Sequence, residues 1–369
     1  MEGMNRYLIA ILALTVFPFN ISSFPVTNNQ NRIDITASRI SQEEPVFLID
    51  LTTVSTEQAM PEERPKIETI ILSFAGDCTI GSDESYRGYT FHKVYRDVKD
   101  PAYFFSGVSS IFSNDDYTFV NLEGVFTNET KKAEKEFRYK GPPEYCEILK
   151  KGSIEGVTLA NNHTLDYLQS GYDETVKTLN EWGIDYINED VYIIKEIKGA
   201  KIGFLGYKGW SNEKKSNQLL VKHVKEMRKQ GVNYIIVNYH WGDMYTYKPN
   251  AQQKSMARFA IDNGADLVIG HHPHVLQGME IYKGKSIVYS LGNFCYGGNK
   301  NPKDKDTIIF QQLITFNVTT NEIFKTESRI IPASISSRTD INNFQPVIAK
   351  GDEAERILSK YKALSENLN

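Results

Sequence analysis

Apolar runs that stop abruptly at polar residues recur along this chain. IETIILSFAGD, from Ile67 to Asp77, is a β-branched run ending in Gly-Asp. DYTFVNLEG ends in Asn-Leu-Glu-Gly, GVTLANNHTLD runs into Asn-Asn-His, and VNYIIVNYHWGD runs into His-Trp-Gly. ADLVIGHHPH ends in a histidine cluster and KSIVYSLGNF in Gly-Asn-Phe. Short apolar runs bounded by turn residues predict buried strands. Between them, PPEYCEILKKG, YDETVKTLNEWG, NQLLVKHVKEMRKQG and NAQQKSMARFAIDNGA carry apolar positions at helical spacing. Gly152, Gly183, Gly231 and Gly264 stand where glycine commonly ends a helix. Strands alternating with helices predict crossover units and largely parallel sheet. VYIIKEIKGAKIGFLGY, MEIYKGKSIVYSLG and TIIFQQLITFNVTTNEIFKTESRII read instead as hairpins, so the fold is α/β with a mixed sheet or two sheets. In the tail, Ala354, Ile357, Leu358, Tyr361 and Leu364 fall on one helical face and predict a closing helix.

The N-terminus follows another pattern. Arg6 precedes an apolar run from Tyr7 to Phe19, which Pro18 and Asn20 keep short of the about 20 apolar residues a spanning helix needs. Residues 1–24 read as an export signal, with an uncleaved membrane anchor as the second reading and a buried helix as the third. Residues 25–66 are polar and predict a spacer, interrupted by the strand-like PVFLIDLTTV. The expected organisation is then a main domain over residues 67–300 and a hairpin and helix over 301–369 that pack on it. An exported chain would work in an extracellular, periplasmic or envelope-associated setting.

Composition narrows the function classes. With 369 residues, 40% hydrophobic and 24% charged, the chain can bury a large core. A net charge of −4 with no basic stripe excludes nucleic acid as the expected partner. Three cysteines make no disulfide framework and allow one bridge at most.

In open α/β sheets the groups at the carboxyl ends of the strands meet on one rim. Here those ends supply Asp77, Asn121 with Glu123, Asn162 with His163, His240, His272 with His274, and Asn293. Carboxylate, amide and imidazole together suit Mn, Zn or Fe. A His-x-His pair on extended backbone puts both rings on one face, with His271 pointing the other way. Two cations roughly 3.5–4 Å apart clamp the attacking and leaving oxygens of a phosphoryl displacement, and a bridging carboxylate sets their spacing. Taken singly, Gly-Asp and Asn-Leu-Glu-Gly are turns. His240 beside Trp241 is then a packed histidine, and Cys78 and Cys295 are small buried hydrophobes. Independent turns, however, give no reason for metal-compatible groups at five strand ends.

The stretches GDCTIG, NLEG, YKGPPEYCEILKKG, LANNHTLDY, YHWGDMY and GADLVIGHHPHVLQGMEIYKGKSIVYSLGNF stand in one order. In that order and spacing the chain resembles the CapA family, the poly-γ-glutamate capsule biosynthesis proteins of CapA/PgsA type. These are in turn similar to calcineurin-like metallophosphoesterases. The resemblance covers about residues 68–298. It implies a metallophosphoesterase-like four-layer αββα sandwich with two mixed sheets. It also implies metal ligation by Asp77, Glu123, Asn162, His240, His272 and His274, with Glu123 as the bridging carboxylate. His163 becomes the acid that protonates the leaving oxygen. The implied cofactors are one or two divalent ions, Mn, Zn or Fe. The implied partners are a cell-envelope polymer or phosphate-ester substrate and membrane-embedded polymer synthase or export components. Two departures stand out. Thr79 replaces the histidine of the metallophosphoesterase Asp-x-His, as the CapA group generally does, and this weakens one metal site. Met244 stands where many members have Glu, with Asp243 one residue out of phase. Tyr89, Tyr139 and Lys140 are candidates to flank a substrate. The expected function is phosphate-ester hydrolysis during envelope polymer synthesis. The alternatives are a non-catalytic scaffold of that machinery or a general envelope phosphatase.

Overall fold

The structure is a computed structural model that describes residues 36–39, 45–51, 66–209, 213–366 and 368. The segment read as an export signal lies outside the described residues, as does most of the spacer. The strands in chain order are β1 (Thr36–Arg39), β2 (Pro45–Leu51), β3 (Ile67–Thr79), β4 (Tyr117–Leu122), β5 (Val125–Phe126) and β6 (Lys140–Gly141). They continue as β7 (Gly156–Thr158), β8 (Asp185–Ile187), β9 (Ile193–Ile197), β10 (Ala200–Lys208), β11 (Tyr234–His240) and β12 (Leu267–His271). The last six are β13 (Leu276–Tyr282), β14 (Lys285–Leu291), β15 (Asn293–Tyr296), β16 (Asp306–Asn317), β17 (Ile323–Ser334) and β18 (Val347–Ile348). The helices are α1 (Phe91–Val98), α2 (Ser109–Phe112), α3 (Cys146–Lys151), α4 (Leu168–Trp182), α5 (Glu213–Lys229), α6 (Ala251–Asp262) and α7 (Gly351–Ser365).

Two mixed sheets form. One has the order β1-β2-β17-β16-β3-β4-β7-β8, with β15 beside β3 and β18 beside β17. The other has the order β13-β14-β12-β11-β10-β9. The crossover units are parallel, β3-β4-β7-β8 in one sheet and β10-β11-β12-β14 in the other. The three expected hairpins, β9-β10, β13-β14 and β16-β17, are antiparallel.

Strand alternation sorts side chains into layers. Phe119 of β4 and Ile236 of β11 turn inward and meet Ile70, Phe74, Phe204 and Ile269 between the sheets. Their neighbours Val120 and Val237 turn outward. Val120 packs with Leu149 of α3 and Leu179 of α4, and Val237 with Leu220 of α5 and Met256 of α6. The result is the four-layer αββα sandwich expected from the sequence. Ala354, Ile357, Leu358 and Tyr361 of α7 join the core between the sheets, so the tail helix closes it. The pattern did not suggest α1, because FHKVYRDV buries only Phe91 and Val94. Cys78, Cys146 and Cys295 are free and buried, so the core rather than a bridge holds the fold.

Behind Asp77 the backbones of β3 and the β14–β15 turn touch. A Cβ on Gly76 would lie 2.0 Å from the Gly292 carbonyl oxygen, the same oxygen that accepts the Asp77 N–H at 2.9 Å. Gly76→Ala is expected to cost about 1–3 kcal/mol by overpacking. Equilibrium denaturant unfolding should show a lower midpoint, and an unchanged midpoint would show that the two backbones do not meet there.

Candidate metal centre

Parallel strands ending at one rim deliver the polar groups. Asp77 lies in β3 and pairs with Asn121 of β4; Glu123 follows β4 directly and donates its N–H to the Cys78 carbonyl at 2.9 Å. Asn162 and His163 lie in the turn after β7. His240 is the last residue of β11, where it pairs with His271 of β12, and His272 follows β12. The structure brings all seven predicted residues together. His274 Nδ1 is 3.2 Å from Asp77 Oδ2, and its Nε2 is 3.7 Å from Glu123 Oε1. The same Glu123 oxygen is 3.5 Å from His240 Nε2 and 3.9 Å from His163 Nε2. His240 Nε2 is in turn 2.8 Å from Asn162 Oδ1 and 3.1 Å from His272 Nδ1.

Two donor groups result, Asp77–Glu123–His274 and Glu123–His240–His272, each with ligand atoms within 4.8 Å of one another. Glu123 belongs to both. It is fully buried, and neither of its carboxylate oxygens has a hydrogen-bond partner among the described residues. A buried, unsatisfied carboxylate costs several kcal/mol unless a cation meets it, so the residues present fit a divalent ion. Their protonation points the same way. Burial pushes His240 well below the usual imidazole range and His272 down to about 3, which leaves both neutral, the form in which imidazole ligates a metal. Burial also raises Glu123, against the pull of His274. Burial alone would raise Asp77 as well, but the His274 hydrogen bond and the charges of His274, His240 and His271 hold it well below the carboxylate range. His274 rises to about 9, against its burial, because Glu123 and Asp77 face it. A cation at Asp77 and Glu123 therefore competes with a proton on His274.

The His272–His274 pair shares the site for a reason other than strand alternation. β12 ends at His271, and His272 and His274 have φ of 98° and 57°. Such backbone is rare for a residue with a Cβ and costs on the order of 1–3 kcal/mol at each position. It turns both rings inward, with centroids 5.6 Å apart. His271 is buried behind them, its Nδ1 3.6 Å from Asp77 Oδ1 and neither ring nitrogen hydrogen-bonded among the described residues.

Sequence reasoning missed two of the groups that hold these side chains, Asp166 and Asn161; Asn121 and Asn293 it had placed at the rim. Asp166 is fully buried, and its Oδ2 lies 2.7 Å from His163 Nδ1. Asp166 also accepts Lys135 Nζ at 2.6 Å and the Tyr139 N–H at 2.5 Å. His163 Nδ1 is thereby occupied and Nε2 faces the centre. The only signal in the chain was the His-x-x-Asp spacing. The Asn161 amide accepts the His163 N–H at 2.9 Å and donates to Asn121 Oδ1 at 3.0 Å. Asn293 Oδ1 lies 2.9 Å from His274 Nδ1. Of the flanking candidates, Tyr139 lies against His163 with ring centroids 4.3 Å apart. Lys140 is taken up by Glu84 and the Glu129 carbonyl, and Tyr89 stacks on Phe344. Asp243 does not replace the missing Glu, since it is exposed and bonded to Asn250. Thr79 is buried, and its hydroxyl has no hydrogen-bond partner among the described residues. Burial raises the Cys78 and Cys295 thiols, so neither offers a thiolate.

Residues 71–297 match the family model of the bacterial capsule synthesis protein PGA_cap. The capsule biosynthesis protein CapA of Bacillus anthracis is 30% identical over 301 residues, which are 74% of this chain and 71% of that protein. The PGA biosynthesis protein CapA of Bacillus subtilis (strain 168) is 29% identical over 261 residues, 63% of this chain and 66% of that protein. Among solved structures, a novel phosphatase from Mycoplasma pneumoniae aligns with a TM-score of 0.44 at 16% identity, over 81% of this chain and 99% of that chain.

Proposed function

Because this chain belongs to the bacterial capsule synthesis protein family PGA_cap, we propose that it hydrolyses a phosphate ester during the making of a cell-envelope polymer. The observation that carries the hydrolase reading is Glu123, buried, unsatisfied and common to two donor groups. Asp77, Glu123 and His274 would hold one divalent ion. Glu123, His240 and His272, with the Asn162 amide, would hold a second, and Mn, Zn or Fe suits this nitrogen and oxygen set. When bound, such ions polarise a phosphoryl oxygen and lower the pKa of a coordinated water. His163 has a separate task. Asp166 fixes its ring through Nδ1, so Nε2 can carry a proton to the leaving oxygen. Lys135 balances the Asp166 charge and keeps it oriented. In this reading the chain is exported and works beside membrane-embedded synthase or export components; the capsule relatives support an envelope setting. No helix of the described residues is long and apolar enough to cross a membrane.

A second reading, a non-catalytic scaffold of the polymer machinery, is favoured by Thr79 at the place of a histidine ligand. One experiment separates the two. The protein is purified without chelator, its metal content is measured, and phosphomonoesters and diesters are tested with added Mn and Zn. Bound metal with metal-dependent turnover supports the hydrolase, and metal without turnover supports the scaffold. Protein that takes up no metal under any loading overturns the centre itself. His272→Ala and His274→Ala are each expected to lower the metal content, since each removes a ligand from a three-residue donor group.

A further inference from the structure

Thr79 stands where the metallophosphoesterase pattern has a histidine ligand, and the proposed chemistry gives its side chain no task. Its direction is set by strand alternation. Cys78 and Ile80 turn outward to the helix layer, so Thr79 shares the inward face with Asp77. Cys78 pairs with Leu122 of β4, and the next step of that parallel register sets Thr79 beside Glu123. Neighbouring strands lie about 4.8 Å apart. On its other side Thr79 pairs with Tyr296 of β15, whose ring is 5.0 Å from that of His274. The hydroxyl therefore lies among Asp77, Glu123 and His274, the members of one donor group.

Thr79 Oγ1 is buried without a hydrogen-bond partner among the described residues, and so are both oxygens of Glu123 beside it. A hydroxyl donates and a carboxylate accepts, so a buried pair of this kind normally closes a hydrogen bond. Here the two do not pair, and both are left to a third group. A water would satisfy the hydroxyl but would leave the carboxylate charge unmet. A cation answers both, because the hydroxyl oxygen has lone pairs to offer it.

We propose that the Thr79 hydroxyl is an oxygen ligand of the ion held by Asp77, Glu123 and His274, and that it makes this position selective for a hard ion, Mn or Mg. The inference rests on the metal centre of the hydrolase reading and deepens it by setting the two positions apart. With Thr79, oxygen donors outnumber nitrogen three to one at the first position, a set that suits hard divalent ions. The second position has His240 and His272 with Glu123 and the Asn162 amide, and its two imidazoles suit Zn or Fe. Threonine in place of histidine then changes which ion binds instead of deleting a ligand, and one centre holds two unlike ions.

The test reads metal binding rather than turnover. The full chain is stripped with chelator, given one equivalent of Zn and titrated with Mn, free Mn being followed by its EPR signal. The wild-type chain is expected to take up Mn beside the Zn. Thr79→Val keeps the shape and removes the oxygen. It is expected to bind Mn at least about tenfold more weakly, the loss that even a residue outside the ligand shell causes. Thr79→Ser is expected to retain Mn, since serine offers the same oxygen. Melted with chelator, Thr79→Val is expected to unfold no lower than wild type, because it removes a buried hydroxyl that has no partner among the described residues. Undiminished Mn binding by Thr79→Val, or a Zn-loaded wild-type chain that takes up no Mn, overturns the assignment. So does a lower melting midpoint of Thr79→Val with chelator, which would show that the hydroxyl is paired inside the protein. Protein that binds neither ion overturns the centre and the ligand together. Hydroxyl-dependent Mn binding without phosphoester turnover keeps the ligand and sinks only the hydrolase reading.

Discussion

Glu123→Gln is expected to empty the metal centre and, in the same stroke, to stabilise the metal-free protein. The carboxylate is fully buried, its oxygens accept no hydrogen bond among the described residues, and three imidazole nitrogens crowd one oxygen at 3.5–3.9 Å. Without a cation this arrangement opposes folding, because desolvation of the charge is only partly repaid by His274. Glutamine keeps the shape and removes the charge, while Asp77 still faces His274 at 3.2 Å. The expected gain in the chelated protein is on the order of 1–3 kcal/mol, seen as a rise of a few degrees in Tm. The opposite holds with metal present. A wild-type site with ligand at a hundred times its Kd gains about 2.7 kcal/mol, and the variant should gain almost nothing, because both donor groups lose their shared member. Thermal unfolding with chelator and with added Mn or Zn, together with elemental analysis, checks both halves. A variant that keeps its metal and loses apo stability would show that Glu123 is a structural residue and does not join two ions.

His163→Ala is expected to remove turnover while leaving the metal in place. His163 belongs to neither donor group, and its Nδ1 is committed to Asp166. A general acid matters most when the leaving oxygen is a poor leaving group. The loss should therefore be about 100- to 10,000-fold in kcat for an alkyl phosphate and much smaller for a nitrophenyl phosphate. Asp166→Asn should follow the same leaving-group trend with a smaller loss, because the ring remains but its orienting charge is gone. Steady-state kinetics on the two esters, with metal content measured on the same samples, checks this. An equal loss on both esters would assign His163 to binding rather than to proton transfer.

Much of this was legible in the chain because its cause is local. The alternation that buries Phe119 inward and Val120 outward is written in adjacent residues, as is the helical face of α7. The candidate site was legible for a related reason. Parallel strands end on one rim, so a polar residue directly after an apolar run is placed at the site whatever the order of the strands, and Asp77, Glu123, His240 and His272 all follow that grammar.

What the chain could not reveal depends on contacts between distant residues. Asp77 meets the His272 N–H 195 residues away, and the two donor groups share Glu123 only because β3, β4, β11 and β12 lie at facing rims of two sheets. Asp166 looked like an ordinary polar residue of a turn until Lys135 and Tyr139 folded over it. The positive φ of His272 and His274 has no mark in a His-Pro-His sequence, since only the packed surroundings can hold such backbone. β16, near the end of the chain, pairs directly with β3 and sits mid-sheet rather than at an edge. By itself the sequence determined most of the strands and helices, though not α1, and the polar residues at the strand ends, because hydrophobic periodicity acts over a few neighbours. Only the tertiary structure decided which of those ends face one another, because strand order and the pairing of buried charges are set by the packing of the whole chain.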